Sequence, residues 1–321
     1  MKMYRLGIAF RRASMKNNAK KLTRIELDPT KQSGTRRRAM ANIRRRLLGA
    51  KREVQALVKS LPSTLVANRT TYTYELDDFR LQTVDERIRD IINKWFETQT
   101  DDRPARFFMN PYMLASYSTG TEDSVVRTAM LASQAGYSTA DISQLDVQKI
   151  FETGIYERRV ALVYGRTFNE MKGFSGTTAT DLARVLSQVV TDGASPRVAQ
   201  KLIKERFDVA DSRADRIART EINRAYTVAR AEQADDTQKR LGIDVRMIHR
   251  SSLLPTTRVE HAERHGTVHT IQEQNDWWSQ GANRINCYCS TSEVVFSKSG
   301  KPFDSGAIDK MLKQKQGWAK S

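Results

Sequence analysis

Met40, Ile43, Leu47, Ala50, Val54, Leu57 and Leu61 recur at spacings of three and four along the first third of the chain. On a 3.6-residue period these positions fall on one stripe, which predicts an amphipathic helix of roughly 27 residues. Pro62 stops it. Asp85–Glu97 repeats the pattern, with Ile88, Ile91, Ile92 and Trp95 on one side. Between the two, residues 63–81 include the β-prone run Thr70-Thr71-Tyr72-Thr73-Tyr74 and read as a short strand or an extended arm. Arg103-Pro104 and Asn110-Pro111 mark breaks, and helical patterns resume at about 122–135, 143–172, 177–191 and 196–207. Thr178 or Thr180 and Ser195 suit helix N-caps, and Pro196 suits a first helical position. The longest predicted helix runs from Asp211 to about Leu241, with Gly242 as its stop.

Beyond Gly242 the period changes from helical to alternating. Ile243–Ile248 and Cys289–Phe296 read as strands, with a helical turn around Arg258–Arg264 and an indole pair, Trp277-Trp278, between them. A short helical pattern returns at Ile308–Leu312. The expected fold is mostly α: a multi-helix body with a small C-terminal α+β module and basic terminal arms. The divisions fall at 1–33 (arm), 34–242 (body), 243–297 (module) and 298–321 (tail).

Charge changes this picture more than bulk composition does. The net charge is +17, yet residues 1–60 hold 18 Lys and Arg against 3 Asp and Glu, and residues 298–321 hold 6 against 2. The middle of the chain is therefore nearly neutral, and both ends are cationic. Such a distribution suits contact with a polyanion through the ends, nucleic acid being the commonest. Arg36, Arg37, Arg38, Arg44, Arg45, Arg46, Lys51 and Arg52 mostly occupy the polar face of the first helix, which reads either as a solvated outer face or as a phosphate-binding one. No row of aromatics accompanies them, so base stacking is not indicated. No apolar run reaches the roughly 20 residues that span a bilayer, and the N-terminus lacks a secretory apolar region, so a cytosolic origin is expected.

Both cysteines and all four histidines lie between positions 249 and 289. Two cysteines one residue apart cannot staple distant segments, so a disulfide scaffold is excluded. If residues 258–264 are helical, His261 and His265 share a face, and with Cys287 and Cys289 they would complete a closed tetrahedral site for structural zinc. The spacing is tighter than the common zinc-finger spacings. The alternatives are cysteines as small buried apolar residues beside hydrogen-bonded histidines, or redox or catalytic use of a thiol. Glu221, in mid-helix, is read as pairing with Arg224 or reaching across to dock the module, with a catalytic carboxylate as a further option. No His-Glu-x-x-His, phosphate-cradling Gly-rich loop or Gly-x-Ser-x-Gly elbow is present.

Three clusters stand in fixed order: Arg219-Thr220-Glu221, then Thr257-Arg258-x-x-His261 with Gly266, then Asn286-Cys287-x-Cys289. Together they resemble the phage head morphogenesis domain, the family of the phage Mu F-like minor head proteins and the related minor head protein of Bacillus siphophages. Ser195-Pro196 and Arg213-Ala214-Asp215-Arg216 upstream also fit, and the resemblance covers about residues 175–292. Tyr288 departs from the Arg or Lys often found between the cysteines, and His265 stands where the family residue varies.

The resemblance implies a non-enzymatic minor structural protein of a tailed-phage head. Its expected partners are the portal protein and the major capsid protein, and its expected place is the virion, after assembly in the host cytoplasm. It would aid head assembly and DNA packaging or delivery. The basic N-terminal region lies outside the resemblance; there, charge alone suggests nonspecific binding of double-stranded DNA. The competing reading is a metal-dependent nuclease or thiol enzyme using Glu221, His261 and Cys287 or Cys289.

Overall fold

The computed structural model describes residues 28–66, 71–75, 78–98, 106–303 and 305–318. Most of the expected N-terminal arm, residues 1–27, lies outside them. The elements run α1 (Ser33–Lys59), β1 (Ser63–Leu65), β2 (Tyr72–Tyr74), α2 (Asp78–Phe96), α3 (Asn110–Gln134), α4 (Thr139–Ser143), α5 (Val147–Phe151), α6 (Gly154–Thr191) and α7 (Pro196–Leu241). They continue with β3 (Val245–Arg250), α8 (Val259–Glu263), β4 (Val268–His269), α9 (Ile271–Ser279), β5 (Ser290–Val295) and α10 (Ser305–Trp318). The chain is mostly α with a small α+β region, as its periodicities predict.

Helix α1 has the expected 27 residues and buries Met40, Ile43, Leu47, Ala50 and Val54. The β-prone segment is an antiparallel hairpin pairing Ser63–Leu65 with Tyr72–Tyr74. Ser195 caps α7, its hydroxyl accepting from the Val198 N–H, with Pro196 in the first turn. At the other end Gly242 adopts φ +65°, and its N–H donates to the Gln238 carbonyl. These ends fall where the local chemistry puts them.

Three segments differ from the sequence reading. The patterns at 196–207 and 211–241 are one 46-residue helix, α7. Thr178 is no cap: it lies buried inside the 38-residue α6, where its hydroxyl donates to the Phe174 carbonyl. That helix opens at Gly154 behind a Thr153 cap, because Ser138 and Asp146 cap two separate short helices upstream. Helix α3 begins at Asn110, with Pro111 in its first turn rather than at a break.

The α3–α7 contact shows why α3 looked short. Its residues 116–124 are rich in Ser, Thr and Gly and carry no broad apolar stripe. Small size is what the contact requires. The Ser116 and Ser124 hydroxyls donate to the carbonyls of Ile222 and Arg230, and a Cβ on Gly120 between them would collide with the Tyr226 carbonyl. Ala214, Ala218, Ala225 and Ala229 on α7 are likewise fully buried. Two helix backbones thus approach closely from Ser116 to Ser124, about two turns.

The module is a three-stranded antiparallel sheet in the order β4-β3-β5. Met247 pairs with Glu293, and His249 pairs with Thr291. Every residue of β5 is buried, including Ser290, Thr291, Ser292 and Glu293. The basic tail, expected as an arm, is packed in its described part. Met311 of α10 joins Ile248 and Val294 in an apolar cluster, and Lys315 and Trp318 donate to the carbonyls of Glu263 and Leu254. Among the described residues no helix is long and apolar enough to cross a membrane.

Candidate metal centre and the brace around it

The three sequence clusters converge on one structure in which α7 grips the loop that carries the cysteines. From α7, the Arg219 guanidinium donates to the Asn286 side-chain carbonyl at 2.5 Å, and the Thr220 hydroxyl accepts the Asn286 N–H at 3.0 Å. Asn286 sits at φ +55°, a left-handed conformation that Asn tolerates better than most residues. One turn on, the Asn223 amide donates to the Cys287 carbonyl at 2.6 Å. Across the loop, Arg258 donates to the carbonyls of Ala282, Asn283 and Ile285, closing the turn that leads into the cysteines. Gly266 is at φ +80°, with Met311 and Leu312 of α10 pressed against it. A glycine meets both demands at once.

Glu221 makes neither of the two pairings expected of it. It is buried and pairs with Arg166 of α6 at 3.1 Å, rather than reaching the module or pairing with Arg224. Burial raises its carboxyl above the usual range, opposed by Arg166. Arg224 and Arg284 add to the cationic character of this corner. Burial together with Arg224 and Arg166 pulls the Arg284 guanidinium down to about 9. His261 is not among the partners of Glu221, so the Glu–His–Cys constellation of the enzymatic reading does not assemble around this carboxylate.

Behind the brace lie the soft ligands. Both cysteines are free thiols and buried. His261 Nδ1 faces both, at 3.3 Å from Cys287 Sγ and 3.5 Å from Cys289 Sγ. The Cys289 N–H donates to Cys287 Sγ at 3.2 Å. A side-chain hydrogen bond from the Cys289 thiol, with His261 alongside, holds the Cys287 thiol well below its ordinary value against the opposing effect of burial, while the same bond and burial push the Cys289 thiol up.

His265 is not part of this group. Its Nδ1 accepts the Ser251 N–H and its Nε2 meets Gln314 of α10, so both ring nitrogens are engaged elsewhere. The shared face expected of His261 and His265 is lost because α8 ends at Glu263, two residues short of His265. His249 of β3 takes the place instead. Ligand atoms of His249, His261 and Cys289 lie within 4.8 Å of one another. Trp277 and Trp278 of α9 cover both rings, with centroids 4.9 Å and 5.3 Å from His249. The capping box of Thr270 and Glu273 that starts α9 was the overlooked signal for that helix.

Two further features escaped the sequence reading. Arg230 of α7 and Glu293 of β5 form a buried ion pair, and Arg230 also donates to the Tyr226 hydroxyl. Their separation of 63 residues leaves no local pattern to find. Tyr288, the departure from the family pattern, lies beneath two guanidinium groups, Arg219 at 4.5 Å and Arg36 of α1 at 5.2 Å from its ring centre.

The eight basic residues singled out on α1 divide. Arg36 donates to Asn223 and pairs with Asp28, and Arg44 pairs with Asp211 of α7. Arg46 donates to the Trp95 carbonyl, pairs with Glu97 and lies over Phe108. Lys51 is half-buried, whereas Arg37, Arg38, Arg45 and Arg52 are exposed.

Residues 180–292 match the family model described as Phage Mu protein F like protein. The matched segment begins inside α6, takes in all of α7 and ends inside β5, so it contains every residue of the brace. The match agrees with the head-morphogenesis resemblance read from the three clusters, a family of structural head proteins. No curated protein and no solved structure matches the chain.

Proposed function

We propose that this chain is a minor structural protein of a phage head that holds packaged duplex DNA through its cationic N-terminal region, while its braced C-terminal half docks on the portal and major capsid proteins. The observation that carries the DNA reading is a line of exposed cations on α1: Arg38, Arg45, Arg52 and Lys59. They are spaced by seven residues, two turns of helix, so they stay on one face and stand roughly 10.5 Å apart. The apolar stripe lies elsewhere on the helix, against α7 and α2. Residues 1–27 add eight Lys and Arg against one acidic residue.

Binding of this kind is electrostatic and indifferent to sequence. Each neutralised phosphate releases counterions, with a log–log salt slope of about −0.9 per phosphate on duplex DNA. The family match supports the head assignment. A structural role also agrees with Arg219, Thr220 and Asn286, which tie the cysteine loop to α7. The test measures duplex binding of the full chain at several salt concentrations. Replacing Arg38, Arg45, Arg52 and Lys59 together by Gln is expected to flatten the slope by roughly 3–4 units of log K per log salt. An unchanged slope and affinity would remove α1 from the DNA contact. Co-purification of the wild-type chain with the portal protein tests the docking.

A further inference from the structure

We propose that His249, His261, Cys287 and Cys289 form a structural zinc site closing the C-terminal module. The inference is independent of the DNA reading. A tetrahedral zinc with Zn–S of about 2.3 Å and Zn–N of about 2.0 Å sets its nitrogen and sulfur ligands roughly 3.5 Å apart. His261 Nδ1 stands at 3.3 Å and 3.5 Å from the two sulfurs, already at that edge length. His249 supplies the fourth position. Its ring is fully buried, and its Nε2 has no hydrogen-bond partner. A buried imidazole nitrogen left in this state calls for a ligand.

The surroundings match a metal site. Ser251 Oγ lies 3.6 Å from Cys289 Sγ and can donate to a thiolate there, as the Cys289 N–H does to Cys287. Gln274 lies 3.3 Å from His249 Nδ1. Metal on Nε2 places the ring proton on Nδ1, so a half-turn of the Gln274 amide presents its oxygen to that proton. This turn gives up a long 3.3 Å contact from Arg264. Two thiolates and two imidazoles in a closed arrangement select zinc over the hard cations. A surface cleft of about 390 Å³ reaches His261, Cys287 and Cys289 and gives the ion a way in.

The test uses the full chain without a histidine tag. Metal analysis is expected to find one zinc per chain, and Co²⁺ titration to give the intense ligand-field bands of tetrahedral coordination with sulfur-to-cobalt charge transfer. His249→Ala is expected to weaken Co²⁺ binding by at least about tenfold, while His265→Gln keeps the wild-type spectrum. Circular dichroism of each variant reports whether it folds. The wild-type spectrum decides even if a variant does not fold. Failure of the wild type to bind Co²⁺, an octahedral spectrum, or stoichiometric iron or copper in place of zinc would overturn the proposal. So would a spectrum that survives His249→Ala and is lost in His265→Gln.

Discussion

The helical body and the C-terminal module are built on opposite terms. In the body, Ile43, Ile88, Ile92, Met171, Leu182 and Ile203 are among the largest fully buried side chains, and one apolar cluster runs from α1 to α7. In the module the buried positions include His249, His261, Ser290, Thr291, Ser292 and Glu293, while its apolar clusters are small. The body is held by removal of apolar surface from water, which tolerates approximate geometry. The module leans on buried polar links such as Arg230–Glu293 and Asn223–Cys287, and losing one partner of such a link is costly. A small sheet with little apolar mass needs such links, and they reach outward into α7.

The sharpest way to break this contrast is at the pair that joins the two regions. Glu293→Ala leaves Arg230 buried without its main counter-charge and is expected to cost about 3–5 kcal/mol. Urea unfolding would measure it, and a loss below about 1 kcal/mol would show that solvent already reaches the pair. Within the body, Ile43→Ala is expected to cost about 2–5 kcal/mol through lost burial and a cavity. Its signature is a shift of the whole unfolding transition, since α1 packs on both α7 and α2.

The same contrast decides what could be read from the chain. Apolar periodicity gave α1 to within a residue or two, and local chemistry placed Ser195 and Gly242 at the ends of α7. Helix α3 was read short because its stripe of Ser116, Gly120 and Ser124 serves close backbone approach, which apolar periodicity does not record. In the module the residue types were informative and their geometry was not. His261, Cys287 and Cys289 stand out by residue type, and His265 by its position after His261. Spacing along a supposed helix favoured His265, while only strand pairing brings His249 beside them. The ion pair of Arg230 and Glu293 and the stack on Tyr288 join residues far apart in sequence, so neither had a local trace.

Asn223 tests whether the brace couples the two regions. It accepts from Arg36 of α1 and donates to the Cys287 carbonyl, so Asn223→Ala should cost about 1–3 kcal/mol. Amide exchange should show the loss both at residues 286–289 and at the start of α1. A response confined to one side would mean that the two bonds act separately.

The smallest expected effect is on pH dependence. Burial holds the His265 imidazole below its ordinary value, outweighing the bonds from Gln314 and Ser251. A depressed folded value means its contribution is fully present above about 6.5 and is lost as pH falls from there toward the folded value. Thermal melts across that window should therefore decline toward acid in the wild type and decline less in His265→Gln. Parallel curves would remove His265 from the acid response.

Amide hydrogen exchange on the full chain, before and after metal is stripped with a chelator, tests most directly whether polar links closed by a metal hold the module while apolar packing holds the body. Protection is expected to fall in β3 and β5 and in the loop before Cys287, while α1, α2 and α6 keep theirs. Unchanged protection in β3 and β5, or equal loss in the body, would contradict it.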